Sequence, residues 1–371
     1  MVGLSRRRAL GALSVSLLAA SGCSTPNPHR AEQTASEGDP LPEHVRMVIP
    51  YAEGGGTDVW ARFIAPFLTA EMDRDCQILP ENLPGGESII GSNRYARDGV
   101  NDGTSILISS GTTYFQYLLG RSEVEFDFSD MRPLVLNPTG GVIYGAPEQG
   151  VDDLDDLFSG ATDLQYGGIS ATGLDLSALL AFNVLGMDVS TVFGLEGRGP
   201  ARLAVERGEL NLDYQTTSAY LGQVQPLVEE GRAVPLMSFG QIDQEGGMGR
   251  DPALPDLPSV GEVHREIHGE DPSGVAWDAY LTFLGAGFSY QKGIWVTGST
   301  PDSVTEPFFE AARKLSGDED FLAEGEQVLG GYPVYSGAES EDEVRAALSI
   351  TEEVRSYVLD LLEREHDTVV H

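Results

Sequence analysis

Short apolar runs alternate with glycine-rich or hydroxyl-rich loops along this chain. The first run, 47–49, is closed by Pro50 and predicts a strand buried on both faces. Gly54, Gly55 and Gly56 follow, where the backbone can take positive φ and a ligand can come close. Thr57 or Asp58 then caps a helix that carries Val59, Trp60, Phe63, Ile64 and Phe67. Strand, glycine loop and helix N-terminus together form an anion site. The first N–H groups of a helix have no partner inside it, and its dipole favours negative charge.

The same alternation continues. Strands are expected at 76–79, 104–109 and 133–137, and again, after 141–144 begins a second lobe, at 164–168, 189–193, 210–214, 234–239 and 293–297. Loop 81–91 is a second glycine loop that leads into a helix through Tyr95. Ser109, Ser110, Gly111, Thr112 and Thr113 end the third strand just before a helix. In the second half, Ile169, Ser170, Ala171, Thr172 and Gly173 follow a strand, and Asp175 and Leu176 begin a helix through Leu185. Pro200 stands at the start of another helix. Helices are expected at 301–315, 320–329 and 339–362, and a polar loop at 243–271. Strands alternating with helices predict an α/β fold with parallel sheets, whose ligand loops lie at the carboxyl ends of the strands.

Three readings of the opening loop stay open on its residues alone. It is a tight turn without a ligand, a nucleotide site, or a seat for a small carboxylate. No Gly-Lys-Ser/Thr follows for a phosphate loop, and Val59 stands where the dinucleotide pattern needs a third glycine. Glu81 does follow the second run, where a ribose-binding acid would sit.

Charge narrows the partners. The 371-residue chain has a net charge of −35 and an isoelectric point near 4.3, so a nucleic acid backbone would be repelled. Its only lysines are Lys292 and Lys314. An acidic surface poor in lysine suggests a protein kept soluble in high salt; a GC-rich genome would also favour arginine. Strong salt dependence of folding would support the halophile reading, and full stability in dilute buffer would count against it.

The N-terminus reads as a targeting segment. Arg6, Arg7 and Arg8 precede a short apolar stretch, 9–20, and then Ala20, Ser21, Gly22 and Cys23. Small residues before a cysteine resemble a lipoprotein signal, which implies a diacylated Cys23 and anchoring to the membrane. Residues 5–10 also resemble a twin-arginine export signal, so the route, Sec or twin-arginine, stays open. Residues 24–43 read as a flexible tether. With Cys23 lipidated, Cys76 has no disulfide partner.

Metal and catalytic motifs are weak. Asp152, Asp153, Asp155 and Asp156 lack the glycine of a calcium loop and read as an acid-rich first helical turn. His264 and His268 lie one helical turn apart, but Arg265 stands where a zinc helix would carry glutamate. None of the six histidines falls in a motif loop, and the spacing around Ser170 breaks the Gly-x-Ser-x-Gly pattern. An exported α/β hydrolase is therefore the runner-up among functions, and no cofactor or metal is expected.

The ordered set Pro50-Tyr51, Gly55 to Asp58, Ala61-Arg62, Glu81-Asn82, Pro84-Gly85, Gly91, Asp102-Gly103, Ser109 to Thr112, Gly197, Pro200-Ala201, Gly208 and Asp213 resembles the Bug-type receptors of tripartite tricarboxylate transporters. The resemblance runs over about 45–240 and more weakly to 357. It implies a two-lobed periplasmic-binding-protein-like fold, with residues 44–138 and 241–371 in lobe 1 and 139–240 in lobe 2. It also implies a monomeric extracytoplasmic receptor that passes a small di- or tricarboxylate to a membrane permease, without chemistry. Carried over, the first-lobe contacts are Tyr51, Gly55, Gly56, Thr57, Asp58, Ser110 and Thr112. Those of the second lobe are Ser170, Ala171, Thr172, Gly199, Pro200 and Asp213. Four departures stand out: Glu53, the pair Glu87-Ser88, Arg198, which is placed to pair with a ligand carboxylate, and the segment from His264 to Lys292, which is longer and unlike the family. A same-fold receptor for an uncharged or amine ligand remains an alternative.

Overall fold

The structure, a computed structural model, describes residues 41–72, 75–242 and 247–371. The signal segment, Cys23 and the tether up to residue 40 lie outside them. Strands β1 (His44–Ile49), β2 (Gln77–Asn82), β3 (Ser105–Ser110) and β4 (Met131–Asn137) belong to one sheet. Strands β5 (Gly141–Gly145), β6 (Leu164–Gly167), β7 (Val189–Val192), β8 (Leu212–Thr216) and β9 (Val234–Ser238) form a second. A small ribbon pairs β10 (Gln241–Ile242) with β11 (Met248–Gly249). The chain then returns to the first sheet with β12 (Lys292–Thr297) and β13 (Tyr335–Ser336).

The first sheet has the order β13-β4-β12-β3-β1-β2 and the second β7-β6-β8-β5-β9. β1 is parallel to β2 and β3, and β6 to β7 and β8. β12 runs against both β3 and β4, and β5 against both β8 and β9. The reversed strands stand where the chain enters or re-enters a sheet. The carboxyl ends of the parallel strands still share one edge in each sheet, which is what a ligand site needs.

Helices alternate with these strands: α1 (Gly56–Glu71), α2 (Ile89–Asp98), α3 (Gly111–Leu118), α4 (Asp175–Leu185) and α5 (Arg198–Glu206). Two short helices, α6 (Thr217–Ala219) and α7 (Gln225–Glu229), follow β8. Later come α8 (Val260–His268), α9 (Val275–Leu284), α10 (Asp302–Ser316), α11 (Glu319–Glu324), α12 (Glu326–Leu329), α13 (Glu341–Ala347) and α14 (Glu352–His366). Helix α1 buries Trp60, Ala61 and Ile64 with Met47 and Ile49 of β1 and Phe308 of α10. On the other face, a single core runs from Val48, Leu107 and Trp295 of the first sheet to Ile143, Tyr166 and Leu212 of the second. The joint is also polar: buried Asp251 accepts Thr217 Oγ1 at 2.8 Å and Tyr332 OH on its other oxygen.

Several expected elements differ. Gly55, not Thr57 or Asp58, caps α1; Asp58 sits in the first turn and reaches back to the Gly54 N–H at 2.9 Å. The loop expected at 243–271 contains α8, capped by reciprocal bonds between Ser259 and Glu262. The helix expected at 320–329 is broken at Gly325. The long one at 339–362 splits, because Thr351 starts α14 by accepting from the Val354 N–H at 3.2 Å. The acid cluster forms only a 3₁₀ turn, Asp155–Leu157, since Asp153 and Asp156 spend their carboxylates on each other's loop N–H groups. Helices α8 and α9 pack against α4 of the second sheet, so residue 241 divides strands rather than packing layers.

Candidate functional site

The loop after β1 is organised by one carboxylate. Asp58 is only 3% exposed. It accepts Gly54 N on one oxygen, and Arg62 Nε at 2.9 Å and Asn82 Nδ2 at 2.8 Å on the other. Burial pushes this carboxyl up, but the bonds from Arg62, Asn82 and Gly54 outweigh it and hold it below its ordinary value. Gly54 takes φ +78, which lets the chain fold back over the helix start. Gly55, Gly56 and Glu53 are exposed there. By position, the N–H groups of Gly56 and Thr57 have no acceptor inside α1.

Beside it, Tyr51 OH lies 2.6 Å from both Ser110 Oγ and Thr113 Oγ1. Burial raises the phenol's pKa, and the hydroxyls offset part of this. Ser110 ends β3 and caps α3, so Tyr51, Ser110 and Thr112 are gathered at one strand edge.

The loop after β6 repeats the plan. Asp175 Oδ2 accepts the N–H groups of Ile169 at 2.8 Å and Ser170 at 3.2 Å. Its Oδ1 takes Tyr166 OH and Arg198 Nη1, the latter at 2.6 Å. The same guanidinium pairs with Asp213 and donates to the carbonyls of Tyr214 and Gly167. Asp213 Oδ2 receives Tyr144 OH at 2.7 Å and Gln215 Nε2 at 2.8 Å. Burial works against the Arg198 charge, but the surrounding phenols and Asp175 more than restore it.

Arg198 and Asp213, both expected to meet a ligand, pair with each other in this structure, and the pair offsets the cost of burying the carboxylate. Gly199 and Pro200 follow Arg198 in the first turn of α5, with Pro200 exposed. The Gly54 and Gly55 amides are likewise used inside their own loop, on Asp58 and on the Ala52 carbonyl.

Thr172 joins the two halves. Its Oγ1 donates to Glu87 Oε2 at 2.8 Å, and its carbonyl accepts Gln116 Nε2 at 2.8 Å. Arg121 Nη1 closes the ring, donating to Glu87 Oε2 at 2.9 Å and Gln116 Oε1 at 3.1 Å. A side chain at Gly173 would stand 3.7 Å from Thr112 Oγ1, and Ser170 Oγ lies 3.0 Å from Thr172 Oγ1. Tyr51, Ser110, Thr112, Ser170, Ala171 and Thr172 therefore share one neighbourhood. Glu87 and Ser88 hold φ of +52 and +80, a conformation costly for non-glycine residues. Glu87 Oε1 and Ser88 Oγ are buried without a partner among the described residues.

Lys292 is the residue that the sequence reading passes over. It opens β12, paired with Ser110 of β3 and Asn137 of β4. It is 8% exposed and forms no ion pair or side-chain hydrogen bond among the described residues. Burial alone lowers its ammonium pKa to about 8. Its signal in the sequence is scarcity, as one of two lysines immediately ahead of an apolar strand.

No cluster of three metal-binding side chains occurs among the described residues. His264 and His268 face backbone carbonyls of Glu270 and Leu185. A cavity of about 310 Å³ between α4, β7 and the end of α14 lies at the amino end of β7, the far edge of that sheet. Among the described residues no helix is long and apolar enough to cross a membrane.

Two mostly parallel sheets, with loops from both strand edges meeting at Thr172, define a two-lobed solute-binding-protein fold. Solved structures of periplasmic binding proteins share this fold. The periplasmic binding protein BugD superposes with a TM-score of 0.61 at 19% identity, over 86% of this chain and 98% of its own. MatC from Rhodopseudomonas palustris, with bound malate, gives 0.55 at 20% identity over 87% and 98%. An R. palustris protein with adipate gives 0.64 at 20% identity over 85% and 97%. No family model and no curated protein sequence matches the chain.

Proposed function

We propose that this chain is an extracytoplasmic receptor that captures a small di- or tricarboxylate between its lobes and performs no chemistry. In this reading Cys23 carries a lipid anchor, and the loaded receptor delivers its ligand to a tripartite tricarboxylate-type permease. Lobe 1 comprises 44–138 and 241–371 and lobe 2 comprises 139–240. The observation that carries the reading is the meeting of hydroxyl-bearing strand ends from both sheets around Thr172, in a fold shared with malate- and adipate-bound proteins.

The energies suffice. A hydrogen bond to a charged group contributes about 1.5–3 kcal/mol, and micromolar affinity needs about 8 kcal/mol net. Four to six such bonds reach that after the entropy of closure. The donors are the Gly56, Thr57 and Thr112 amides and the Thr57, Ser110 and Ser170 hydroxyls. The net charge of −35 does not forbid an anion, because surface charges are screened within about 3 Å at 1 M salt. A hydrolase needs a base beside its nucleophile, and no described histidine bonds to these hydroxyls. One observation favours the amine-ligand alternative, the unpartnered Glu87 Oε1.

Calorimetric titration with succinate, malate, adipate, citrate and putrescine at high salt tests the reading. A carboxylate is expected to bind, and Thr57→Ala and Ser170→Ala are each expected to weaken it about tenfold, the worth of one charge-assisted bond. Putrescine binding in preference would transfer the site to the amine reading. Unchanged affinity in both variants would overturn the site.

A further inference from the structure

We propose that Lys292 is the cation of the interlobe site and forms an ion pair with a carboxylate of the bound ligand. The inference deepens the receptor reading and rests on it.

Position is the first argument. Paired residues on neighbouring strands project to the same face of a sheet, so Lys292 shares its face with Ser110 and Asn137. Both are the last residues of their strands, at the edge where ligands sit in such sheets. The next residue, Gly293, belongs to the opposite face. A side chain there would strike Trp295 Nε1, Tyr114 OH and Ser109 Oγ within 2.5–3.1 Å. Lys292 thus lies on the side of Tyr51 and Ser110, whose hydroxyls are 2.6 Å apart.

Chemistry is the second. Lysine is almost never buried unless paired, and this chain has 58 carboxylates for 23 lysines and arginines. A partner was available in quantity, yet the ammonium has none among the described residues. The other lysine, Lys314, is exposed and meets Glu71 at 3.4 Å. An unpaired cation kept at a strand edge beside hydroxyls and an asparagine is half of a salt bridge. The ligand's anionic group supplies the other half and recovers the cost of desolvation. Because the family-like contacts in both lobes are hydroxyls and amides, Lys292 also sets direction: the ligand's carboxylate end faces β12.

The pH dependence follows. Free Lys292 titrates near pH 8, and anion binding holds its proton. Tyr51, on the same face, and Tyr290, two residues before Lys292, are both raised by burial and stay neutral through this range. Glu53, the acid after β1, is exposed.

The test titrates the full chain and Lys292→Met with succinate, malate, adipate and citrate between pH 7 and 9.5. Wild-type affinity for the best carboxylate is expected to fall about 30-fold across that range, one proton being taken up on binding. Lys292→Met, of similar volume, is expected to bind at least about tenfold more weakly at pH 7, with no pH dependence and no loss of thermal stability. Variant affinity within twofold of wild type overturns the assignment and leaves the receptor reading standing. A wild-type affinity flat from pH 7 to 9.5 also overturns it, even if the variant fails to fold. A wild-type chain that binds none of the four carboxylates overturns both.

Discussion

Each sheet holds a cation largely out of solvent close to its strand ends, and the two are treated in opposite ways. Arg198, in the second sheet, lies between Asp175 and Asp213 and also donates to two backbone carbonyls. Its guanidinium stacks 4.3 Å from the Tyr214 ring centre. Lys292, in the first sheet, has the burial without the partners. Guanidinium has five fixed donors and is weakly hydrated, so it suits permanent pairing; ammonium is a point charge that shifts its pKa when buried. The difference separates a cation that holds a lobe together from one left open to a ligand.

The comparison breaks most sharply at Arg198. Arg198→Met leaves two buried carboxylates facing each other without a counter-charge, and is expected to cost about 3–5 kcal/mol in chemical denaturation. A cost below about 1 kcal/mol would show that the cluster is not structural. Lys292→Met should do the reverse, raising stability at pH 7 by about 2–3 kcal/mol, because a desolvated charge is removed. The sign can be checked with pH. The folded pKa of Lys292, about 8, lies below its ordinary 10.5. The folded state is therefore penalised in full below about 8, and wild type gains on the variant as pH climbs from about 8 to 10.5. An unchanging gap over that window would remove the unpaired cation from the account.

Smaller effects sharpen the boundary between the lobes. Thr172→Val removes the hydroxyl that meets Glu87 and is expected to cost about 1–2 kcal/mol, since Glu87 then loses one of its two donors. Small-angle scattering should show the ligand-free variant more open than wild type. Tyr51→Phe is expected to cost about 1 kcal/mol, leaving Ser110 and Thr113 bonded to each other's backbone groups.

Much of the first lobe is legible in advance. The run ending at Pro50, the three glycines and the hydroxyls of Ser110 and Thr112 mark strand ends without any knowledge of contacts. So does the start of α4 at Asp175. Helix α8 also carries its signature, Ser259 three residues before Glu262, but the apolar spacing behind it is thin and the segment reads as loop. The role of Asp175 is different. Nothing in the local sequence says that its carboxylate will fill the very N–H groups of Ile169 and Ser170 that look ready for a ligand.

The chain's sequence by itself determined the alternation of strand and helix, the loops that carry glycine and hydroxyl, and the acidic surface. These follow from periods of two and 3.6 residues and from turn chemistry, which act over a few neighbours. Only the tertiary structure decided which charges are spent and which are left open. Arg198 meets Asp175 across 23 residues and Thr172 meets Glu87 across 85, and Lys292 is lonely only because the fold buries it beside Ser110 and Asn137. Pairing of charges is a property of space, and one-dimensional order does not carry it.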